Sequence, residues 1–390
     1  MTLTRASWGD ARRAAYESGR SGTRPTEHVA LRDAAFRTLA ADLRSPSDVP
    51  GFDTSAMDGW AVSGRGPWTL GEPIVAGPAL GDVGLVPGTA RPVTTGAAVP
   101  SGTDRVLRSE SGRAEGALLV DESGPAEAPR HIRLAGEEAE TGDLLFVAGT
   151  VLTPPRVAVA AVCGLDEVPV TARPAVALAV LGDEVVGLGI PQRGTVRDVF
   201  TVQVPDILRS LGATCVSATR VPDDLDRTIE ALDLPDAALV VTTGGTAHSS
   251  TDHVRSALAE LGAELVVDRV AMRPGQPLLV ARRGSTLHLC LPGNPMAALV
   301  SLVLVGAPIV EGLLGRPLTE PGVVTVAVDV PHARPGVLVQ AYRATRDGAV
   351  PASRQSSAML RGLADADGLL VVPEGGARRG DLVPALPLPW

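Results

Sequence analysis

"CLPGNPMAALVSLVL", residues 290–304, reads as the end of a strand, a tight turn and the start of a long apolar helix. The run "TLHLCL" (286–291) leads into it without alternating polar residues. That is the pattern of a strand buried on both faces of a parallel sheet. Pro295 suits the first helical turn, where its missing N–H costs nothing. Gly293 and Asn294 are residue types that accept positive φ with little penalty. The turn is therefore expected to aim backbone N–H groups and the positive helix end at a crevice, an anion-binding arrangement. Asn294 is also the only asparagine among 390 residues, and lysine is absent, so all 35 residues counted as Lys+Arg are arginine. Such a composition suggests GC-rich coding pressure. Glycine is plentiful and would serve a plain turn, so Asn294 is expected to have a side-chain task, bracing the loop or touching a ligand.

Further apolar runs of strand length lie upstream, "PAVALAVL" (174–181) and "AALVVTT" (237–243). Helical stretches separate them: "DILRSLG", "DLDRTIEALD" and "DHVRSALAELG", with Gly212 and Gly262 where C-caps belong. Strands alternating with helices predict a doubly wound α/β domain over 173–317. Ligands of such sheets bind outside the carboxyl ends of the strands. Three loops leave those ends here: "LGDEVVG" (181–187), "TTGGTAHSSTD" (242–252) and "LPGNP" (291–295). All three are expected to line one crevice.

The flanking segments have a different texture. Residues 318–390 are short β runs such as "GVVTVAVDV" and "GLLVVPEG", read as a separate small β domain. Residues 60–134 are short apolar runs broken by Gly and Pro, the pattern of another small β domain, entered through the loop "PSDVPGFDTSAMDGWAV". Residues 1–45 read as helices broken near "SGTRPTEHV", with apolar residues at helical spacing in "VALRDAAFRTLAADLRS" (29–45). Residues 135–172 hold a loop, a strand-like "DLLFVAGTVLTP" and a short helix, "PRVAVAAVCGL".

Composition narrows the function classes. Hydrophobic residues make up 45% and charged residues 20%, as in a globular protein. Aromatics are only 3%, so the cores must rest on Val, Leu and Ala. A net charge of −9 argues against a general nucleic-acid or anionic-membrane binder while leaving room for a local basic pocket. The polar, arginine-bearing first twenty residues do not read as a signal peptide. The apolar stretch Met296–Gly315 holds Pro308 and Glu311, and is expected to be a buried helix rather than a membrane span. Cys163, Cys215 and Cys290 are isolated, without metal spacing, and are expected as reduced, buried thiols in a cytoplasm.

Candidate chemistry gathers at the loops. Asp58, Asp183, Glu184, Asp198, Asp223 and Asp252 are oxygen donors suited to Mg²⁺ held between protein and phosphate. Gly244 and Gly245 allow close backbone approach to a phosphate, and Ser249 or Ser250 is placed to cap the following helix. Arg269 and Arg273 in "VDRVAMRPGQP" offer planar recognition of oxyanions. His248 and His253 flank Asp252 at a spacing that does not share a helix face, and no Ser/His/Asp set is indicated.

These residues carry a family resemblance. "DVPGFDTSAMDGWAV" (48–62), "TTGAAVPSGTDRV" (94–106), "GDE" (182–184), "VAMRPGQP" (270–277), "LPGNPMAALVSL" (291–302) and "QSSAML" (355–360) stand in the order of the molybdopterin molybdenumtransferase family, the MoeA/gephyrin E-domain group. The resemblance spans almost the whole chain. It implies a four-part elongated α/β subunit. Residues 1–48 and 135–172 would form a discontinuous helix-containing domain, and 49–134 an inserted β domain. Residues 173–317 would form a MoaB/MogA-like doubly wound α/β domain, and 318–390 a C-terminal β-barrel-like domain. It further implies a homodimer in which the α/β crevice of one subunit meets the inserted domain of the other. The implied reaction takes adenylylated molybdopterin and molybdate, and in a Mg²⁺-dependent step yields molybdenum cofactor and AMP.

By motif, Asp58, Glu184, Asp223 and Asp252 become the catalytic acids, with Asp58, Glu184 and Asp223 around the metal. Thr95, Gly244, Gly245, Arg269, Arg273, Gly293, Asn294, Arg343 and Ser357 become substrate-binding residues. Arg269 and Arg273 replace lysines; Arg343 and Ser357 match basic and hydroxyl positions implicated in oxyanion binding. The sequence also departs from the pattern. The usual Ser-Thr-Gly-Asp-Glu is here Val180-Leu181-Gly182-Asp183-Glu184, and the usual Asp-Ser/Thr-Asn is Asp198-Val199-Phe200. The third glycine of Gly-Gly-x-Ser-Val-Gly is absent from "GGTAHSS", and a lysine becomes Gln276. Each lost hydrogen-bonding group is worth roughly 1 kcal/mol. The departures leave open, as an alternative, a catalytically weakened paralogue serving as a dimeric scaffold, with a peptide or protein partner at the C-terminal domain as in gephyrin-like proteins. An enzyme acting on another nucleotide-linked pterin is a third possibility.

Overall fold

The structure is a computed structural model that describes residues 2–77, 84–123, 130–246 and 253–390. Its centre is a seven-stranded sheet of β1 (Leu3–Ala6), β2 (Ala175–Leu181), β3 (Thr214–Val221), β4 (Leu239–Thr243), β5 (Glu264–Val270), β6 (Leu279–Arg283) and β7 (Thr286–Leu291). The strand order is β1-β5-β6-β7-β4-β2-β3. Only β6 runs against its neighbours. Three helices cover one face: α1 (Trp8–Arg20), α3 (Phe200–Leu211) and α6 (Pro295–Leu314). On the other lie α4 (Leu225–Leu232) and α5 (Val254–Glu260). Helix α2 (Pro154–Val162) belongs to a separate cluster, and a single helical turn, Arg361–Ala364, lies in the C-terminal region. The doubly wound reading therefore holds. From β2 the chain crosses by α3 to β3 on one side, then by α4 to β4 on the other. The reversal opens a crevice at the rim between β2 and β4.

The 20-residue helix α6 is apolar enough, by length and composition, to cross a membrane, but 83% of its apolar window is buried inside the protein. Sequence explains how it fits. Gly19 of α1 and Gly312 of α6 face each other, so the two backbones touch. A Cβ on Gly312 would lie 2.3 Å from the Tyr16 carbonyl oxygen, and one on Gly19 would lie 2.3 Å from that of Ile309. Pro308 cannot donate to the carbonyl of Leu304, and the helix widens to a π turn over Leu302–Gly306. The freed Leu304 oxygen accepts a 3.1 Å hydrogen bond from Arg12 Nη1, and Arg12 Nη2 donates to the Thr319 carbonyl at 2.6 Å. Arg12 is only 4% exposed, and burial pushes its pKa down, offset in part by Glu311 and Glu320. Among the described residues no other arginine is classed as buried.

Two expectations for the N-terminal region need correction. The segment 29–45 is not helical: Thr26–Ala30 and Leu43–Arg44 are strands, with a single turn of helix at Leu31–Asp33 between them. Thr26–Ala30 pairs with Glu167–Thr171, and Leu43–Arg44 with Leu144–Phe146. Val29, Leu39 and Leu43 pack with Leu152 and Ala160, so one cluster explains the apolar spacing as well as a helix would. Residues 3–20, grouped by sequence with 135–172, instead join the α/β sheet. Leu3–Ala6 pairs in parallel with β5, and α1 packs on α6.

The inserted region forms a six-stranded sheet between Gly59 and Asp121. The C-terminal region contributes five strands to another six-stranded sheet, and Met272–Arg273 of the α/β region is the sixth, an edge that pairs with Val337–Leu338. That pairing closes the outer wall of the crevice. Cys163 and Cys290 are buried free thiols, whereas Cys215 is only half-buried.

Gly312→Val should cost about 1–3 kcal/mol through overpacking. Arg12→Met should cost a similar amount, about 1–3 kcal/mol, for each carbonyl left unpaired. Both are read from the urea midpoint, and an unchanged midpoint for Gly312→Val contradicts the backbone contact.

Candidate active site

Parallel pairing sets Val180 of β2 beside Thr243 of β4, and Thr243 beside Leu291 of β7. The three strands thus end level, and their loops leave the sheet together. Gly244 donates its N–H to the Leu291 carbonyl at 3.1 Å and holds φ +90°, and a Cβ on it would stand 2.8 Å from the Leu181 carbonyl oxygen. Only glycine fits there. Gly293 approaches so closely that a Cβ on it would be 3.4 Å from the Gly244 Cα. The role expected of "LPGNP" needs one correction. Asn294 has φ −72°, and Gly293 is not among the positive-φ residues. The tightness of the turn comes from close backbone approach, not from left-handed geometry.

The loops enclose a cavity of about 550 Å³ lined by Glu184, Gly244, Gly245, Gly293 and Asn294. Much of its remaining wall is apolar: Val180, Leu181, Val185, Val196, Val199 and Phe200. A second cavity, of about 790 Å³, lies between the α/β and C-terminal regions. Arg269, Arg273, Asn294 and Ser357 line it, with Arg334, His332 and Gln276, and no carboxylate among the lining residues. Pro277, Pro292 and Asn294 border both cavities. Asn294 occupies the N-cap of α6, yet its side chain makes no capping hydrogen bond. Its amide is thus positioned where the two spaces meet. One N–H of the helix start is already committed, since Ala297 donates to the Ser357 carbonyl at 3.1 Å.

Local structure fixes the charged groups. Asp198 is 3% exposed and caps α3: Oδ1 accepts from the N–H groups of Phe200 and Thr201, and Oδ2 from the Thr201 hydroxyl. Arg269 holds φ +66°, a conformation that costs a non-glycine residue energy and is found at binding sites. Its Nε lies 3.4 Å from Asp268 Oδ1, which also accepts from Arg255 Nη2 at 2.6 Å. Asp183 and Asp223 face each other across the rim. The Asp183 N–H is 3.5 Å from Asp223 Oδ2, and the Asp223 N–H is 3.3 Å from Asp183 Oδ1. Burial pushes the Cys290 thiol up to about 12, so it is inert at neutral pH.

Not every expected residue reaches these cavities. Asp223 sits at the rim without lining either one. Arg343 does not line them: it lies on the strand Val337–Thr345 with its side chain exposed, opposite Val350. The C-terminal region supplies Arg334 instead. Asp58 and Thr95 are joined to each other in the inserted sheet and line neither cavity of their own chain. The Thr95 N–H and hydroxyl donate to Asp58 Oδ1 at 2.7 and 3.0 Å. Asp252, with His248, Ser249 and Ser250, lies outside the described residues. Among the described residues no three His, Cys, Asp or Glu side chains form a group able to hold a metal ion. Arg197 and Arg334 were missed in the sequence, since nothing in "TVRDVF" or "PHARPG" singles out the arginine.

The fold and site define a multidomain α/β protein with a two-lobed crevice, one lobe largely apolar and the other lined by arginines. Three family models cover most of the chain: the MoeA N-terminal region (domain I and II) over 6–164, a probable molybdopterin binding domain over 177–312, and the MoeA C-terminal region (domain IV) over 327–388. The chain is 32% identical over 378 residues to molybdopterin molybdenumtransferase 2 of Mycobacterium tuberculosis, covering 89% of this chain and 90% of that protein. It is 30% identical over 375 residues to molybdopterin molybdenumtransferase of Bacillus subtilis, covering 90% and 87%. The molybdopterin biosynthesis MoeA protein of Pyrococcus horikoshii superposes with a TM-score of 0.80 at 25% identity, covering 98% of this chain and 99% of that one. The chain belongs to the molybdopterin molybdenumtransferase (MoeA) family.

The Thr95 N–H, and then its hydroxyl, hold the Asp58 pKa below the ordinary carboxylate value of 3.8. A depressed folded pKa means the interaction stabilises above 3.8 and is lost as pH falls through the lower folded value. The Asp58 carboxyl should therefore titrate below 3.8 by NMR, and Thr95→Val should raise its midpoint part of the way back. A midpoint unmoved by Thr95→Val contradicts this account.

Proposed function

We propose that this chain inserts molybdate into adenylylated molybdopterin, releasing AMP; its relatives are named for molybdenum transfer to molybdopterin. The observation that carries the reading is the junction of two cavities at Asn294. One is bordered by Glu184 and the glycine loops, the other by Arg269, Arg273 and Arg334. A pterin nucleotide is long and anionic, and molybdate is an oxyanion. The glycine loops let phosphate approach the backbone, while the arginines stabilise negative charge on oxygen. Asn294 offers both a donor and an acceptor where the two substrates would meet.

The proposed assembly is a homodimer. Asp58 is ionised and pre-oriented by Thr95, yet it lines neither cavity of its own chain. It becomes useful if Asp58 of the partner subunit reaches this crevice. The oxygen donors Glu184 and Asp223 are of the type Mg²⁺ prefers, but one chain's described residues do not complete a site. The partner subunit's Asp58 would supply a third carboxylate. When bound, the ion would offset charge on phosphate oxygens. The alternative of an inactive scaffold is not favoured: relatives spanning about nine-tenths of the chain are named as transferases.

Purified protein mixed with adenylylated molybdopterin, molybdate and Mg²⁺ should release AMP. Glu184→Ala should lower the rate about a hundredfold. Arg273→Ala should chiefly raise the molybdate concentration needed. Sedimentation should give twice the chain mass. AMP release no faster than that of Glu184→Ala would sink the enzymatic reading.

A further inference from the structure

Among the described residues the inner cavity has one cationic lining residue, Arg197. Its Nη1 is buried and has no hydrogen-bond partner among the described residues. The neighbouring carboxylate, Asp198, is turned to the start of α3, where Oδ1 accepts two bonds and Oδ2 one. The backbone leaves Arg197 little freedom. Val185–Val186 pairs in parallel with Val196–Arg197, flanked by bonds from the Val196 N–H to the Glu184 carbonyl at 2.8 Å and from the Asp198 N–H to the Val186 carbonyl at 2.9 Å. Thr243 Oγ1, on the same cavity, is likewise buried without a partner. Leaving buried donors unpaired is costly. Two in one hollow point to a ligand that supplies the acceptors.

The surroundings decide which part of a ligand that is. Val185, Val196, Val199 and Phe200 make the walls on this side apolar. A phosphate here would find a single cation among the described lining residues. A flat nitrogen heterocycle matches better: its faces meet the apolar walls, and its edge offers lone pairs to Nη1 and to the Thr243 hydroxyl. We propose that Arg197 is a specificity-determining residue, reading the edge of the purine ring in the nucleotide part of the substrate. This inference rests on the nucleotide reading given above.

The test compares AMP with ribose 5-phosphate, which lacks the ring, by calorimetry on the full-length protein. Arg197→Met should weaken AMP about tenfold to a hundredfold, the loss of one hydrogen bond from a charged donor. It should leave ribose 5-phosphate unchanged. Arg197→Lys, which keeps the charge but loses the planar fork, should fall between the two. Because Nη1 has no partner, the melting temperature of ligand-free Arg197→Met should match or exceed that of the parent protein. Parent-like AMP affinity in Arg197→Met overturns the proposal. So does an equal loss for both ligands, which would make Arg197 a phosphate group binder, or a fall of several degrees in melting temperature, which would make it structural. Failure of the parent protein to bind AMP overturns the nucleotide reading itself, and this inference with it.

Discussion

The lateral hydrogen bonding of β2, β4 and β7 is the constraint on which the site depends. Each parallel ladder fixes its neighbour's register, so Val180, Thr243 and Leu291 reach the rim at one level. A slip of one residue in any strand would turn its buried side chains to the opposite face. The core on both faces resists this, with Leu178 and Val180 packed on one side and Ala177, Ala179 and Leu181 on the other. Burial thus fixes register, and register brings the three loops together. Gly244 then lies against both neighbours, close to Gly293 on one side and to Leu181, where the loop carrying Glu184 begins, on the other.

The crevice divides its chemistry between two lobes. Apolar walls and few charges favour a ring system in the inner one, because dispersion and desolvation reward flat apolar faces there. Three guanidinium groups without a carboxylate among the lining residues favour oxyanions in the outer one. The division depends on the C-terminal sheet, which takes Met272–Arg273 as an edge strand. Without that pairing Arg273 and Arg334 would stand on independent surfaces. The departures at Val180, Leu181, Val199 and Phe200 are consistent with this partition. Val180 and Leu181 are almost fully buried, Phe200 is 5% exposed, and all four border the inner lobe. Hydroxyls there have given way to packing, and the inner lobe must recognise its ligand more by shape.

Much of this was legible in the sequence, for physical reasons. A strand buried on both faces must be continuously apolar, so "PAVALAVL" and "TLHLCL" declare themselves. Gly212, placed by sequence at a helix end, closes α3 in the left-handed conformation. Periodicity failed over 29–45, where apolar residues three and four apart meet one cluster along an irregular path of short strands. Nothing local marks that path, because its strands pair with residues a hundred or more positions away. The same limit hid β1, whose partner β5 lies some 260 residues on. Arg197 and Arg334 were invisible for a related reason. An arginine's role depends on what fails to pair with it, and that is a property of the folded surroundings.

Asn294 draws these strands together. A residue at an N-cap is ordinarily explained by its side-chain bond to the first turn, and replacing such a cap by glycine costs only a few tenths of a kcal/mol. Here that bond is absent, so capping gives no reason for asparagine. Left-handed backbone geometry gives none either, because φ is −72°. What remains is position: the side chain borders both lobes, beside the prolines that separate them. A short, neutral group able to donate and accept at once suits a place where a ligand passes from an apolar chamber to a cationic one. Aspartate would bring an unwanted negative charge toward the arginines' ligand, and serine would reach less far.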